Sequence, residues 1–529
     1  MSDHRAHFPR SGFCFSLPAE HAQQFENRPP SLDFVDAFFS RQWRRFFAGR
    51  KTAGQSAFRR ELKNMQHEWK SASYRDLKTA LNEIDIAERP VQLFMILRRI
   101  ANECFEHTVD VDLWRAYMMY SGHAINSYKD MGLEFGFAAV GLALSGRPVH
   151  LVYADSESLA RARKQLQAFF QALDLVTGCI DDETPQAQRR SEYQADICFC
   201  LARELVFDYL RDRLRLGDMS QPLRLQAEAL YREKPRARML ALRGLHRALI
   251  ADIDKLLVDA ARAPLEISAP GSQQEQTENR PLARLSYPGF FRRYGQLGGY
   301  GSLSGLESEL WAVYRLGVVK IQEKQELSPA KQCDYRFYKN DNHKWQAILS
   351  EVQRCYAAKS PVFLSVETQT AAEQIQSVLK QAGLPCLINK QDRVSQPPEH
   401  TAVILFQDDM TIQPAGKGSL ILAEYHSSRR SQRMWVNASG RASGLTTLAF
   451  ITPNDKLLAT IVAGSLRLRL IAGLLPYGPG NSRVGNYLLC RFVSLVDKTG
   501  EHMQAKARRS LLRQEIQKGK MLSFAGRGE

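Results

Sequence analysis

An α/β chain of two tandem domains, each built on a largely parallel sheet, is the fold class the sequence predicts. Three observations predict it. Short apolar runs alternate with amphipathic stretches of helical length; that alternation occurs twice, on either side of a polar segment at 268–284; and 529 residues exceed one ordinary domain. Strands separated by helices form βαβ units, whose parallel sheets are covered on both faces.

The elements follow in order. Residues 1–69 form an N-terminal extension in which DFVDAFFSRQWRRFFAGRK, 33–51, interleaves aromatic and basic side chains. The first α/β domain is expected over 70–325, with PVHLVYA (148–154), ADICFCL (195–201) and RALIAD (247–252) as buried strands. SLARARKQLQAFFQALDL, 158–175, reads as a helix between the first two. SAPGSQQEQTENRPLAR, 268–284, has almost nothing apolar to bury and reads as an exposed linker. The second domain is expected over 326–465. It begins with an amphipathic helix, KWQAILSEVQRCYAAK (344–359), and a buried strand, SPVFLSV (360–366). A helix at 370–383 ends on a C-cap glycine, and LPCLIN (384–389), TAVILF (401–406) and GSLILAEY (418–425) supply further strands. Residues 466–529 read as a helical C-terminal segment that includes the basic stretch HMQAKARRSLLRQEIQKGK.

Composition narrows the function classes. An apolar share of 44% supports packed cores, and 72 Lys and Arg against 56 Asp and Glu give a net charge of +16. Such an excess favours an acidic partner: anionic lipid, nucleic acid or an acidic protein. Nine cysteines lack the paired spacing of a zinc site and read as buried reduced thiols. The first residues show no signal-peptide core, and FGFAAVGLALSG from Phe135 falls short of the roughly 20 residues of a membrane span. A cytoplasmic location is the expectation, with peripheral membrane contact left open.

Several stretches carry a resemblance. ADICFCLARELVFDYLRDRL (195–214) contains FDYLRD, RGLHRALIADIDKLLVDAARAPLEIS runs from Arg243, and SGRPVHLV spans 145–152. YPGFFRRYGQLGGYGSLSGLESELWAVYRLGVV (287–319), KWQAI, PVFLSVET, AGLPCLINK and HSSRR follow in order. This colinear set resembles the SecA protein translocase ATPases, in a truncated and degenerate form. The resemblance implies two tandem RecA-like domains of the P-loop NTPase type with helical extensions, ATP and Mg2+ as cofactors, and a role in bacterial protein export. It implies as partners a SecYEG-type channel or a full-length SecA-like motor. The polar linker stands where the family carries its preprotein-crosslinking insertion, and the chain stops soon after the start of the family's helical scaffold.

Aligned residue by residue, the chemistry is depleted. A phosphate cradle needs small residues, a lysine and a hydroxyl. The family's T-G-E-G-K-T falls on Ser127, Tyr128, Lys129, Asp130, Met131 and Gly132, so Met131 replaces the lysine and Gly132 the hydroxyl residue. The family's D-E-V-D falls on Ala251, Asp252, Ile253 and Asp254, which removes the first magnesium-associated acid and shortens the second. Asp112 stands where the family reads adenine with glutamine. Of three arginines in the family's R-G-R-S-G-R-Q only Arg441 remains; Val436 and Ala438 replace the others.

The expected function is therefore a pseudo-motor: a SecA-like accessory or regulatory protein of export that has lost ATP hydrolysis. One alternative is a divergent ATPase in which Asp252 and Arg441 are the vestigial catalytic candidates. A third reading, a helicase-like nucleic-acid-binding protein, ranks last, because nothing in the sequence supplies a base-reading motif. The aromatic and basic segment at 33–51 could face an anionic membrane or dock on its own protein, with the second ranked first. Arg211 and Asp212 are read as structural, and Arg429 and Arg430 as an ion-pairing or anion-contacting pair.

Overall fold

The computed structural model describes residues 74–83, 89–105, 111–127, 131–146, 148–216, 239–262, 264–268, 281–303 and 305–320 in the first part of the chain. Beyond them it describes 333–358, 360–366, 369–388, 402–405, 418–424, 445–463, 466–473 and 505–514, with short pieces within 56–64, 228–231, 475 and 489–496. The chain divides into two compact units. One runs to Ile321 and takes the chain back at Arg508, and the other spans Gln322–Ala507.

In the first unit, helices α1 (Tyr74–Glu83), α2 (Pro90–Cys104) and α3 (Leu113–Tyr120) precede strand β1 (His123–Asn126) and helix α4 (Gly132–Leu144). Then follow β2 (Val149–Tyr153), α5 (Ser156–Ala172), β3 (Thr177–Ile180), α6 (Gln186–Glu192), β4 (Ile197–Leu201), α7 (Ala202–Leu216) and β5 (Arg247–Ile250). A π-turn at Lys255–Asp259 leads to β6 (Leu265–Ser268), β7 (Pro281–Leu285), α8 (Tyr287–Phe291), β8 (Gln296–Gly301), α9 (Glu307–Tyr314) and β9 (Gly317–Lys320).

Seven of these strands form one sheet in the order β3-β4-β2-β5-β8-β1-β9, and every pairing in it is parallel. Both faces are covered, as continuous apolar strands require. Leu151 and Phe199 point into a core shared with α2, α4 and α5, while Val152, Cys198 and Cys200 point into another shared with α7, α9 and the π-turn. The outer edge at β3 is closed by its own neighbour: the Glu192 carboxylate accepts the Cys179 N–H at 2.8 Å. An edge capped in this way is a poor template for an added strand.

The apolar runs predicted as strands contain strands, each two or three residues shorter than the run. RALIAD ends its pairing at Ile250 as β5, because Asp252 turns the backbone to φ 53°. The polar segment at 268–284 is not all linker. Its last residues belong to β7, which pairs antiparallel with β6 and packs on α7. Leu265, Ile267 and Ala283 give that ribbon an apolar face against the second core.

The second unit repeats the architecture with β10 (Cys333–Phe337), α10 (Asp341–Ala357), β11 (Val362–Ser365), α11 (Gln369–Gln381), β12 (Cys386–Ile388), β13 (Ala402–Leu405), β14 (Gly418–Leu422) and β15 (Leu445–Ile451). Helices α12 (Lys456–Ala463) and α13 (Leu466–Gly473) follow. Six strands pair in the order β10-β15-β14-β11-β13-β12, again all parallel. Gly383 adopts φ 73° after α11, and the Leu384 N–H donates back to Leu379 O, the left-handed stop read from the sequence. A buried ion pair of 2.9 Å between Lys344 and Asp455 ties the start of α10 to the turn after β15, where Asp455 also accepts the Thr452 N–H. Two parallel sheets, each covered by helices, are the α/β class that the alternation predicts and the arrangement that the resemblance implies.

Candidate functional site

The strand order brings three strand ends together. β8 lies between β5 and β1, so the residues following each emerge side by side at the carboxyl edge of the sheet, where α/β proteins bind ligands. Short bonds tie them to one another. The Ser127 N–H donates to Gly301 O at 2.9 Å, the Leu303 N–H to Asn126 Oδ1 at 2.7 Å, and the Ser302 N–H to Asp254 Oδ1 at 3.1 Å. Asp254 and Ser127 are buried.

Glycine is required here by the sheet itself. At Gly299, with φ 143°, a Cβ would run into the Ile250 carbonyl, and at Gly301 it would stand 2.5 Å from Asp254 Oδ1. The GGYG run is therefore accounted for by close packing between neighbouring strands and the acidic turn.

Ala251 and Asp252 sit at the tip of β5. Ala251 is buried, belongs to the first apolar core, and donates its N–H to Val152 O at 3.0 Å. A carboxylate at this position would enter an apolar environment. Asp252 is half-buried in the left-handed conformation that Asp tolerates better than most residues, and its carbonyl accepts the Leu256 N–H.

The start of α4 is where a phosphate cradle would present backbone N–H groups. Met131, its N-cap residue, is 1% exposed and packs in the first core. At Gly132 the Gln165 side-chain amide from α5 occupies the space a Cβ would need. Phe135, in the first turn, stands edge-on to Tyr300 of β8 and to Tyr153 of β2, with centroids 5.4 and 5.9 Å away.

Glu134 completes the closure. Burial raises its carboxyl above the usual range, while its own backbone N–H, the Asp112 N–H and the Arg115 guanidinium draw the charge in the opposite direction. It thus sits at the positive end of the α4 dipole, the position an anionic ligand would take. Asp112 is itself engaged. It caps α3 by accepting the Trp114 N–H at 3.1 Å and forms an ion pair of 3.3 Å with Arg115. At the other end of α4, Arg247 donates to Leu142 O at 3.0 Å and to the Ser145 hydroxyl. Both ends of this helix are served by the chain's own charges.

Measured against ATP and Mg2+, these residues do not fit. The described part of the cradle lacks the lysine, has an amide over the hydroxyl position, and carries a carboxyl where phosphate charge would gather.

Met131, Gly132, Ala251 and Asp252 thus lie at the carboxyl edge of the sheet, and Asp112 joins them through Glu134. Arg441, Arg429, Arg430, Val436 and Ala438 lie outside the described residues, as do Tyr128, Lys129, Asp130 and the segment 33–51. Sequence reasoning passed over Glu134, Gln165 and Arg115. Glu134 alone had a local signal, an acid three residues past the N-cap position.

The FDYLRD signature has a structural role. Asp208, 1% exposed, accepts from Arg189 at 3.0 Å, from the Tyr193 hydroxyl at 3.0 Å and from Arg211 at 2.8 Å. Arg189 also reaches Glu204 at 2.8 Å. Asp212 accepts the Ala241 and Leu242 N–H groups, each at 3.0 Å; burial nevertheless pushes its carboxyl up to about 6.

Comparison with known proteins agrees with the motifs. Residues 40–280 match the SecA DEAD-like domain family. The chain is 21% identical to protein translocase subunit SecA 2 of Nitrosospira multiformis, an alignment covering 74% of this chain and 78% of that protein. With SecA 2 of Bordetella avium the identity is 24%, covering 79% and 83%. Among solved structures, Saccharomyces cerevisiae Dbp5 bound to RNA and ADP BeF3 aligns at 11% identity and a TM-score of 0.38, over 70% of this chain and 90% of that one.

Proposed function

We propose that this SecA-like chain serves protein translocation as an accessory that does not turn over ATP. The observation that carries the reading is the start of α4, where Met131 is buried, Gln165 covers Gly132 and the Glu134 carboxyl lies at the helix N-terminus. Phosphate binding there needs exposed N–H groups and positive charge, and phosphoryl transfer derives most of its acceleration from such charge. With Met131 in the lysine's place and a carboxyl at the helix start, the two-sheet scaffold is retained for binding other proteins. The partners proposed are a SecYEG-type channel or a full-length SecA-like motor, met at the cytoplasmic face of the inner membrane.

The test is turnover of ATP by the purified chain with channel-containing membrane vesicles, alone and beside a complete SecA motor. The reading expects no turnover by the chain alone and altered translocation by the complete motor in its presence. Turnover that disappears in Asp252→Asn would replace it with the divergent ATPase.

A further inference from the structure

The segment that follows β5 does not form an ordinary α-helix. Residues Lys255–Asp259 make a single π-turn, closed by the Ala260 N–H donating to Lys255 O. A widened turn redirects backbone carbonyls, which then need other donors, and such turns concentrate at functional positions. Two of these carbonyls find side chains from distant parts of the sequence. Leu257 O accepts the Tyr314 hydroxyl at 2.9 Å, and Val258 O accepts Arg508 Nη1 at 3.3 Å.

Arg508 comes from the other end of the chain, on the helix at 505–514. Its Nε and Nη2 donate to the two carboxylate oxygens of Glu309 at 2.6 and 2.7 Å, and both side chains are almost fully buried. One turn further on, Leu512 is 1% exposed, in the same apolar core as Leu256, Leu257, Val258, Leu310 and Tyr314. Lys506 and Arg513, on the same helix, face outward. The helix is thus seated by one arginine and one leucine four residues apart.

The seat adjoins the acidic tip. The π-turn begins at the residue after Asp254, whose carboxylate accepts the Ser302 N–H, and Asp252 lies two residues before that. We propose that the helix at 505–514 is a strap: Arg508 holds the π-turn, the turn fixes the Asp252–Asp254 tip of the first unit, and release of the helix loosens that tip. A guanidinium suits the task because its planar fork serves both Glu309 oxygens and still has an N–H for the carbonyl. The strap couples the end of the chain to the strand-end site after an excursion through the whole second unit. It does not depend on whether nucleotide binds.

Hydrogen exchange of the full chain, without nucleotide, tests this. Arg508→Met leaves the Glu309 carboxylate buried without its partner, a change that typically weakens a local structure by about 100-fold or more. The expected result is faster amide exchange, on the order of 100-fold, at residues 255–262 as well as at 505–514, with β14 of the second unit unchanged. Arg508→Lys keeps the charge but not the fork and is expected to fall between. Exchange that accelerates at 505–514 while 255–262 keep their native rates overturns the strap. If Arg508→Met does not fold, Leu512→Ala frees the same helix without stranding a charge and is read by the same two outcomes.

Discussion

Restoring the lysine of the cradle, Met131→Lys, separates a lost side chain from a closed site. If one missing charge were the whole defect, the variant would fold normally and bind ATP. The geometry predicts otherwise. Met131 is 1% exposed among apolar neighbours, so the substitution forfeits the burial of a methionine, about 1.5–3 kcal/mol. It also brings an ammonium to a desolvated position, a cost of several kcal/mol. Two effects reduce the sum: the lysine stem can extend towards solvent, and Glu134 lies three residues ahead in the first turn of α4. A net loss of about 3 kcal/mol follows, roughly a 100-fold shift in the unfolding equilibrium. The assay is urea unfolding of the full chain followed by fluorescence, beside Met131→Leu, which conserves volume and is expected to lose less than about 1.5 kcal/mol. A Met131→Lys protein as stable as its parent that binds ATP would refute the reasoning, because the position would then be open.

Two further outcomes rest on buried ionisable groups. Arg189→Met is expected to destabilise the chain by about 3–5 kcal/mol in the same assay, since it removes the buried guanidinium that Asp208 and Glu204 share, whereas Arg211→Met, at a partly exposed pair, should cost no more than about 1 kcal/mol. The pH dependence follows from His150, whose Nδ1 meets the Tyr294 hydroxyl at 2.7 Å. Burial, with His246 and Arg243 nearby, pulls its pKa from 6.5 down to about 3, so the folded chain holds it neutral. Its contribution is present above pH 6.5 and lost as pH falls towards 3, because the unfolded chain takes up the proton first. Asp212, raised to about 6, acts with the opposite sign, gaining stability as pH falls from 6 towards 3.8. His150→Asn removes only the first effect. Unfolding measured between pH 6 and 4 should therefore show the variant gaining on its parent by about 1 kcal/mol per pH unit, and parallel curves would contradict the assignment.

The fold was legible where burial is local. ICFCL is continuously apolar, and VHLVY is so but for His150, because both faces of their strands are covered, and the pattern of each reads as a strand. HAIN and QLGGYG were not. The first is four residues long, and the second is rich in glycine because its neighbours approach too closely for side chains, so neither shows an apolar run. The π-turn has no sequence signature, since its carbonyls are satisfied by Tyr314 and by Arg508, hundreds of positions away in the second case. At the site, the identities of Met131, Gly132 and Ala251 were readable one by one. What fills the space around them was not. Gln165 reaches Gly132 from another helix, and Glu134 meets the Asp112 N–H only because α3 packs on α4. Residue identity revealed what the cradle lacks, and tertiary packing determines what stands in its place.

Calorimetric titration of the full chain with ATP and Mg2+ addresses the central claim most directly. A helix start occupied by Glu134, beside a buried Met131, predicts no saturable heat at millimolar nucleotide. One-to-one binding that is lost in Asp252→Asn would contradict it.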